Sequence, residues 1–163
     1  MTRRWGKKKT YTVDTGRKEI IVRSGYEAEI AFGLLDIGVP FEYEAQTYPV
    51  GRALVGAKCA DCGSKNVGKM GRYTPDFTIP IAGSDLRCIV EAKGRMTAKD
   101  RKTILEFSKV ALTSFSALYF VLIQRDNRLS PGSATKYSDW LTKNGITFAV
   151  GTTVPPEWYE ASP

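Results

Sequence analysis

The sequence predicts an α/β protein, a mixed β-sheet with helices packed on its faces. Three observations predict it. Ala117–Ile123 is an unbroken apolar run rich in β-branched and aromatic residues, as expected of a strand buried on both faces. Two further β-rich runs, Tyr73–Phe77 and Leu86–Lys93, flank a turn containing Gly83, Ser84 and Asp85 and read as a hairpin. Segments with helical spacing stand before, between and after them, in the order helix, three strands, helix, strand, helix, strand.

The first helix starts at Ser24, a natural N-cap, with Glu27 at the capping-box position. Tyr26, Ile30, Leu34 and Ile37 recur at helical spacing, and Gly38 with Pro40 stops the run. Phe41–Gln46 alternates with period two, as a half-buried strand does. From Tyr48 to Arg72 the pattern dissolves among five glycines, so 46–72 reads as an inserted loop or arm rather than core. After the hairpin, Thr97 caps a second helix, with Asp100 at its third position, running through Ile104, Leu105 and Val110 to about Leu112. The buried strand and a polar loop, Gln124–Ser133, come next. Tyr137, Trp140 and Leu141 mark a third helix ended by Asn144-Gly145, and Ile146–Val150 is the last strand. Pro155-Pro-Glu-Trp158 starts a terminal turn whose Trp can pack on the core, and 159–163 is a tail.

At 163 residues the chain has the length of one domain, expected over 23–158 behind a basic arm, 1–22. No apolar run reaches membrane-span length, and the N-terminus lacks a signal-peptide core. Three cysteines do not make a secreted disulfide framework, so a reducing cytoplasm fits. Of the net charge of +7, +6 lies in residues 1–25, with eight Lys/Arg against Asp14 and Glu19. Arg3, Arg4, Lys7, Lys8 and Lys9, interleaved with Trp5 and Tyr11, suit contacts to nucleic-acid phosphate; the plainer reading is a solubilising tail. The absence of His excludes His-based triads and His-rich zinc sites.

The hairpin carries the chemistry. Glu91 and Lys93 share one face of their strand, two residues apart, and pairing of the two runs brings Asp76 alongside them. Two carboxylates and an ammonium converging at a strand end make a hard-cation site with a positive group beside it, which suits phosphodiester hydrolysis. Pro-Asp…Glu-x-Lys is the signature of the PD-(D/E)xK nuclease superfamily, although the bare pattern also arises by chance on solvated hairpin edges. Glu27 carries two readings from spacing alone: helix cap, or a third carboxylate aimed at the site.

Taken together, Arg23-Ser-Gly-Tyr-Glu27, Phe41-Glu-Tyr-Glu44, Tyr73-Thr-Pro-Asp-Phe77, Val90-Glu-Ala-Lys-Gly94 and Gly145-Ile-Thr-Phe-Ala149 resemble the bacteriophage endonuclease I family of Holliday-junction resolvases, in order, from about Arg23 to Trp158. The resemblance implies a restriction-endonuclease-like sheet in an intertwined homodimer. It implies cleavage of branched DNA, above all four-way junctions, on two opposed strands with 5′-phosphate products, in the cytoplasm of an infected bacterium. The family's catalytic residues fall on Glu27, Asp76, Glu91 and Lys93. Asp76 and Glu91, with the Ala92 carbonyl, would hold one Mg²⁺, and Glu27 would help hold a second, roughly 4 Å away, with Mn²⁺ as a substitute. Lys93 would orient water or offset charge, and Lys99, Arg101 and Lys102 are candidates for phosphate contacts beside the site. The rivals are another nuclease of the same superfamily, such as a mismatch- or site-directed nicking enzyme, and a junction-binding protein without catalysis.

One feature departs from the family pattern. The segment over 46–72, a subunit bridge in that family, is longer here and carries Cys59-Ala-Asp-Cys62. Cys-x-x-Cys is half a structural zinc site, and this chain has only one other Cys, Cys88, which falls on the apolar face of its strand. Cys59 and Cys62 are therefore either reduced thiols in a loop or, paired with their copies in a second subunit, a shared four-thiolate zinc site.

Overall fold

In a computed structural model, the described residues are 10–54 and 68–160; for 51–54 and 68–70 they comprise backbone only. The expected cysteine pair, Cys59 and Cys62, lies outside them, as do Arg3, Arg4, Lys7, Lys8 and Lys9.

The α/β architecture is as expected. Its centre is a five-stranded sheet of β3 (Glu42–Tyr43), β6 (Phe77–Pro80), β7 (Arg87–Lys93), β8 (Ala117–Ile123) and β9 (Phe148–Val150), in that order. β3, β6 and β7 pair antiparallel, whereas β7, β8 and β9 run parallel. The parallel pairs need crossovers, and the helices supply them. α2 (Ala98–Ser108) and α3 (Ala111–Phe115) lead from β7 to β8, and α4 (Tyr137–Lys143) leads from β8 to β9.

Alternation along β7 sorts its side chains to two helical layers. Val90 and Cys88 face α1 (Gly25–Asp36), packing with Phe77, Ile79, Ile30 and Leu34. Burial pushes the Cys88 thiol up to about 12, so it behaves as a core residue, as expected. Ile89 points to the opposite layer, where Phe107 and Ala111 meet Tyr48 and Tyr73. Val121 and Ile123 of β8 pack there too, with Ile104 and Leu141. Trp158, in the terminal turn, stacks on Phe120 at 4.5 Å.

Several elements differ from the sequence expectation. The first strand of the catalytic hairpin, expected over Tyr73–Phe77, is β6 at Phe77–Pro80, and Tyr159, expected in the tail, is buried in the core. Residues expected as basic arm form, from Tyr11 onward, a hairpin of β1 (Tyr11–Asp14) and β2 (Glu19–Val22). Val13 and Val22 are fully buried against α1, so the folded core begins before Arg23. The expected bridging arm is likewise a hairpin near its root: β4 (Tyr48–Leu54) pairs antiparallel with β5 (Gly68–Tyr73), with a register shift between Val50 and Arg52. At that irregularity Gly71 lies so close that an added Cβ would come within 2.9 Å of the Val50 carbonyl, which requires glycine there. Tyr48, Val50 and Tyr73 are buried, so this root is core rather than loop. Finally, the helix expected from Thr97 to about Leu112 is two helices, broken at Lys109-Val110, and Ser116 (φ 51°) ends the second in the left-handed region.

Candidate active site

The carboxyl ends of parallel strands are where α/β sheets commonly hold ligands, and here the candidate residues collect at the end of β7, the central strand. The Phe77↔Val90 pairing puts Asp76, one residue earlier, level with Glu91. Asp76 Oδ2 accepts the Ala92 N–H at 2.8 Å, which ties the entry of β6 to the end of β7. Asp76 Oδ1 accepts no protein hydrogen bond among the described residues.

Glu91 is one of two buried polar or charged residues among those described, at 4% exposure. Its Oε1 lies 2.6 Å from the Lys93 ammonium, and its Oε2 accepts the Tyr73 hydroxyl. Tyr73 also meets the Tyr119 hydroxyl at 3.2 Å. The Lys93 ammonium is shared with Asp100 Oδ1 at 3.3 Å. Asp100 at the same time completes the capping box of α2: its Oδ2 accepts from the Thr97 N–H and hydroxyl at 2.7 and 2.6 Å. One carboxylate thus caps the helix and holds the lysine.

Burial governs the electrostatics. It raises the Asp76 carboxyl well above the usual range, and the nearby Glu91 charge raises it further, against the Ala92 N–H and Lys93. Burial also raises Glu91, with Lys93 and the Tyr73 hydroxyl opposing. For Lys93, burial would lower the pKa, but the Glu91 charge and contact, then Asp76 and Asp100, outweigh it and hold the ammonium protonated. Burial would raise Asp100, but its bonds from Thr97 and the Lys93 charge bring it below the usual value.

Glu27 stands at the same end of the sheet but on the α1 side. Ser24 caps α1 by accepting the Glu27 N–H at 3.2 Å, as the sequence pattern requires. The Glu27 carboxylate accepts from the Ser24 hydroxyl (2.8 Å), the Arg23 N–H (2.9 Å) and the Tyr43 hydroxyl (2.6 Å). Its link to Asp76 is charge alone, the smallest of the named influences on that carboxyl. Glu44, held at φ 45°, continues the connection: its N–H donates to the Asp76 carbonyl at 2.9 Å, and its carboxylate pairs with Arg23 at 2.8 Å. A non-glycine residue at positive φ is uncommon and carries backbone strain, here directly beside the site.

The structure therefore brings Asp76, Glu91, Ala92 and Lys93 together and places Glu27 at the margin. It adds Asp100, Tyr73, Tyr119 and Tyr43, which spacing did not single out for chemistry. Asp100 was legible only through the capping pattern, and the tyrosines only as members of expected strands. Of the expected phosphate contacts, Lys99 is exposed, Lys102 leans toward Glu106 at 3.9 Å, and Arg101 donates to the Met96 carbonyl at 3.3 Å.

A hard divalent cation fits the donor chemistry. Asp76, Glu91 and Asp100 surround a single ammonium, Glu27 adds its charge at the margin, and among the described residues Asp76 Oδ1 accepts from no protein donor. Among the described residues, no three His, Cys, Asp or Glu side chains already form a ligand cage. The other carboxylate oxygens named above are turned to protein donors instead.

The family model described as phage endonuclease I matches residues 8–162. Endonuclease I of Escherichia phage T7 is 30% identical over 142 residues, which cover 87% of this chain and 80% of that protein. No helix among the described residues is long and apolar enough to cross a membrane.

Proposed function

Since the chain belongs to the phage endonuclease I family and is a nuclease of that kind, we propose that it is a metal-dependent endodeoxyribonuclease that resolves four-way DNA junctions. It acts as a homodimer and leaves 5′-phosphates on two opposed strands. The observation that carries the reading is the convergence of Asp76, Glu91 and Lys93 on the Ala92 backbone at the end of β7.

Asp76, Glu91 and the Ala92 carbonyl would hold one Mg²⁺, and Glu27 would help hold a second. Bound there, such ions supply Lewis acidity that lowers the pKa of water and offsets phosphate charge. The chain's own part is positional. Tyr73 and Lys93 clamp the Glu91 carboxylate from two sides, which fixes its rotamer in a buried pocket. Because Lys93 stays protonated between Glu91 and Asp100, it serves as a hydrogen-bond donor and positive charge near the reacting phosphate, not as a general base. The root of the β4–β5 hairpin, anchored through Tyr48 and Tyr73, opens the segment that would serve as the subunit bridge. Exposed Phe32 on α1, Ile37 just past its end and Ile21 on β2 are consistent with a second subunit.

Incubating the protein with a synthetic four-way junction and a matched linear duplex, with and without Mg²⁺, tests the reading. Paired, Mg²⁺-dependent cuts near the junction centre are expected. Equal cutting of both substrates would favour a less selective nuclease, and binding without cutting would favour a junction-binding protein.

A further inference from the structure

A cavity of about 550 Å³ opens beside the candidate active site, between the β7–α2 connection and the loop after β8. Arg95, Arg101 and Arg128 line it from three separate segments, with Thr97, Ser130 and the buried Tyr137. No Asp or Glu lines it. Nearby acids are engaged elsewhere. Asp100 serves Lys93 and Thr97; Asp126 accepts from Ser138 and pairs with Lys136 at 3.7 Å; Asp139 accepts the Lys136 N–H. Among the described residues none of the three arginines has a carboxylate partner.

Three guanidinium groups around one concavity repel one another unless an anion sits between them. Their backbone supports are built rather than loose. Arg101 is tied to the Met96 carbonyl, and the Met96 N–H donates to the Tyr137 hydroxyl at 3.0 Å, which joins the two walls. Arg128 is held by its bridge to Lys136, and the Tyr137 N–H donates to the Asn127 carbonyl. The first amides of α2, at Ala98 and Lys99, lack intrahelical acceptors and add positive potential to the same rim. Guanidinium forks match phosphate oxygens, and beside the site of a nuclease the anion at hand is a phosphodiester of its substrate. The cavity lies close to the catalytic lysine: Thr97 lines it, and Asp100 bridges Thr97 to Lys93.

We infer that the Arg95–Arg101–Arg128 cavity is a second phosphodiester subsite, gripping a phosphate of the substrate strand next to the one that is cut. The inference rests on the nuclease reading above and deepens it. Arg95 and Arg128 then set which phosphate is presented to Glu91 and Lys93, acting on affinity and register rather than on the chemical step.

The test uses the full chain and a four-way junction. Arg95→Gln/Arg128→Gln should weaken junction binding about tenfold or more and lower the slope of log affinity against log salt by about 1–2, since each lost phosphate contact removes about 0.9. Single-turnover cleavage at saturating protein should stay within a few-fold, and Arg95→Lys/Arg128→Lys should recover most of the affinity. Lys109→Gln, one charge removed from the far end of α2, is the control and should leave the slope near that of the unsubstituted protein. Replacing single backbone phosphates near the cut by neutral methylphosphonates supplies a second readout. One such position should cost the unsubstituted protein affinity and cost the double glutamine variant nothing further. A double variant with an unchanged slope and the same methylphosphonate sensitivity overturns the subsite while the nuclease reading stands. An unsubstituted protein that neither binds nor cuts DNA overturns both.

Discussion

Tyr73, the last residue of β5, donates its hydroxyl to the buried carboxylate of Glu91 in the middle of the central sheet. Its ring packs 4.8 Å from Phe107, so the root of the β4–β5 hairpin, α2 and the strand of the candidate site meet at one side chain. Tyr73→Phe keeps that packing and removes only the hydroxyl. Cleavage should fall about tenfold, the scale of one lost hydrogen bond of ~1–1.5 kcal/mol, with the melting temperature within a few degrees. Single-turnover cleavage beside a thermal melt checks this; unchanged cleavage would mean that Tyr73 is packing alone.

Asp76→Ala and Glu91→Ala should each lower cleavage by about a thousandfold or more while junction affinity stays within a few-fold, because affinity comes from basic surface elsewhere. Lys93→Ala should behave similarly in cleavage. Near-normal cutting by the Asp76→Ala/Glu91→Ala double variant would refute the site.

Asp76 also links the site to pH. Burial, and then the Glu91 charge, raise its folded-state pKa above that of an ordinary aspartate. Protonation therefore favours the folded state: its contribution is complete below the unfolded value and is lost as pH rises through the raised folded one. Ionised Asp76 is thus a cost at neutral pH. In a chelator, Asp76→Asn should melt roughly 2–4 °C higher than the unsubstituted protein at about pH 8, equivalent to about 1 kcal/mol, and the gain should vanish at about pH 4. Mg²⁺ at ten times its dissociation constant should stabilise the unsubstituted protein by about 1.4 kcal/mol and the variant much less. An Asn variant that is no more stable at about pH 8 would contradict the sign.

The N-terminal segment divides between charge and core. Deleting residues 1–9 removes Arg3, Arg4, Lys7, Lys8 and Lys9 and should weaken DNA binding and flatten its salt dependence with the fold intact. Deleting 1–16 also removes β1 and the fully buried Val13, and should cost at least about 2 kcal/mol of stability. Salt titrations and thermal melts on both truncations separate the two effects. Equal melting temperatures would show that β1 is dispensable.

How far the sequence reaches depends on whether a residue's role is local. Helix caps at Ser24 and Thr97, the buried run of β8 and the Asp76/Glu91/Lys93 hairpin were legible, because periods of 2.0 and 3.6 and cap spacing are short-range properties. So was the nuclease family, carried by five short motifs in order. The β1–β2 and β4–β5 hairpins were not. Their glycines, Pro49 and charges break the two-residue alternation, and only Val13, Val22, Tyr48 and Tyr73 meeting distant partners make them core. Tertiary structure alone decided that Asp100 serves both α2 and Lys93, that Tyr73 steadies Glu91 from eighteen residues away, and that Arg95, Arg101 and Arg128 share one cavity. Such roles depend on which chain segments the crossovers bring together. A linear pattern carries each residue's preference for helix, strand or burial, but not the identity of the partner it meets there.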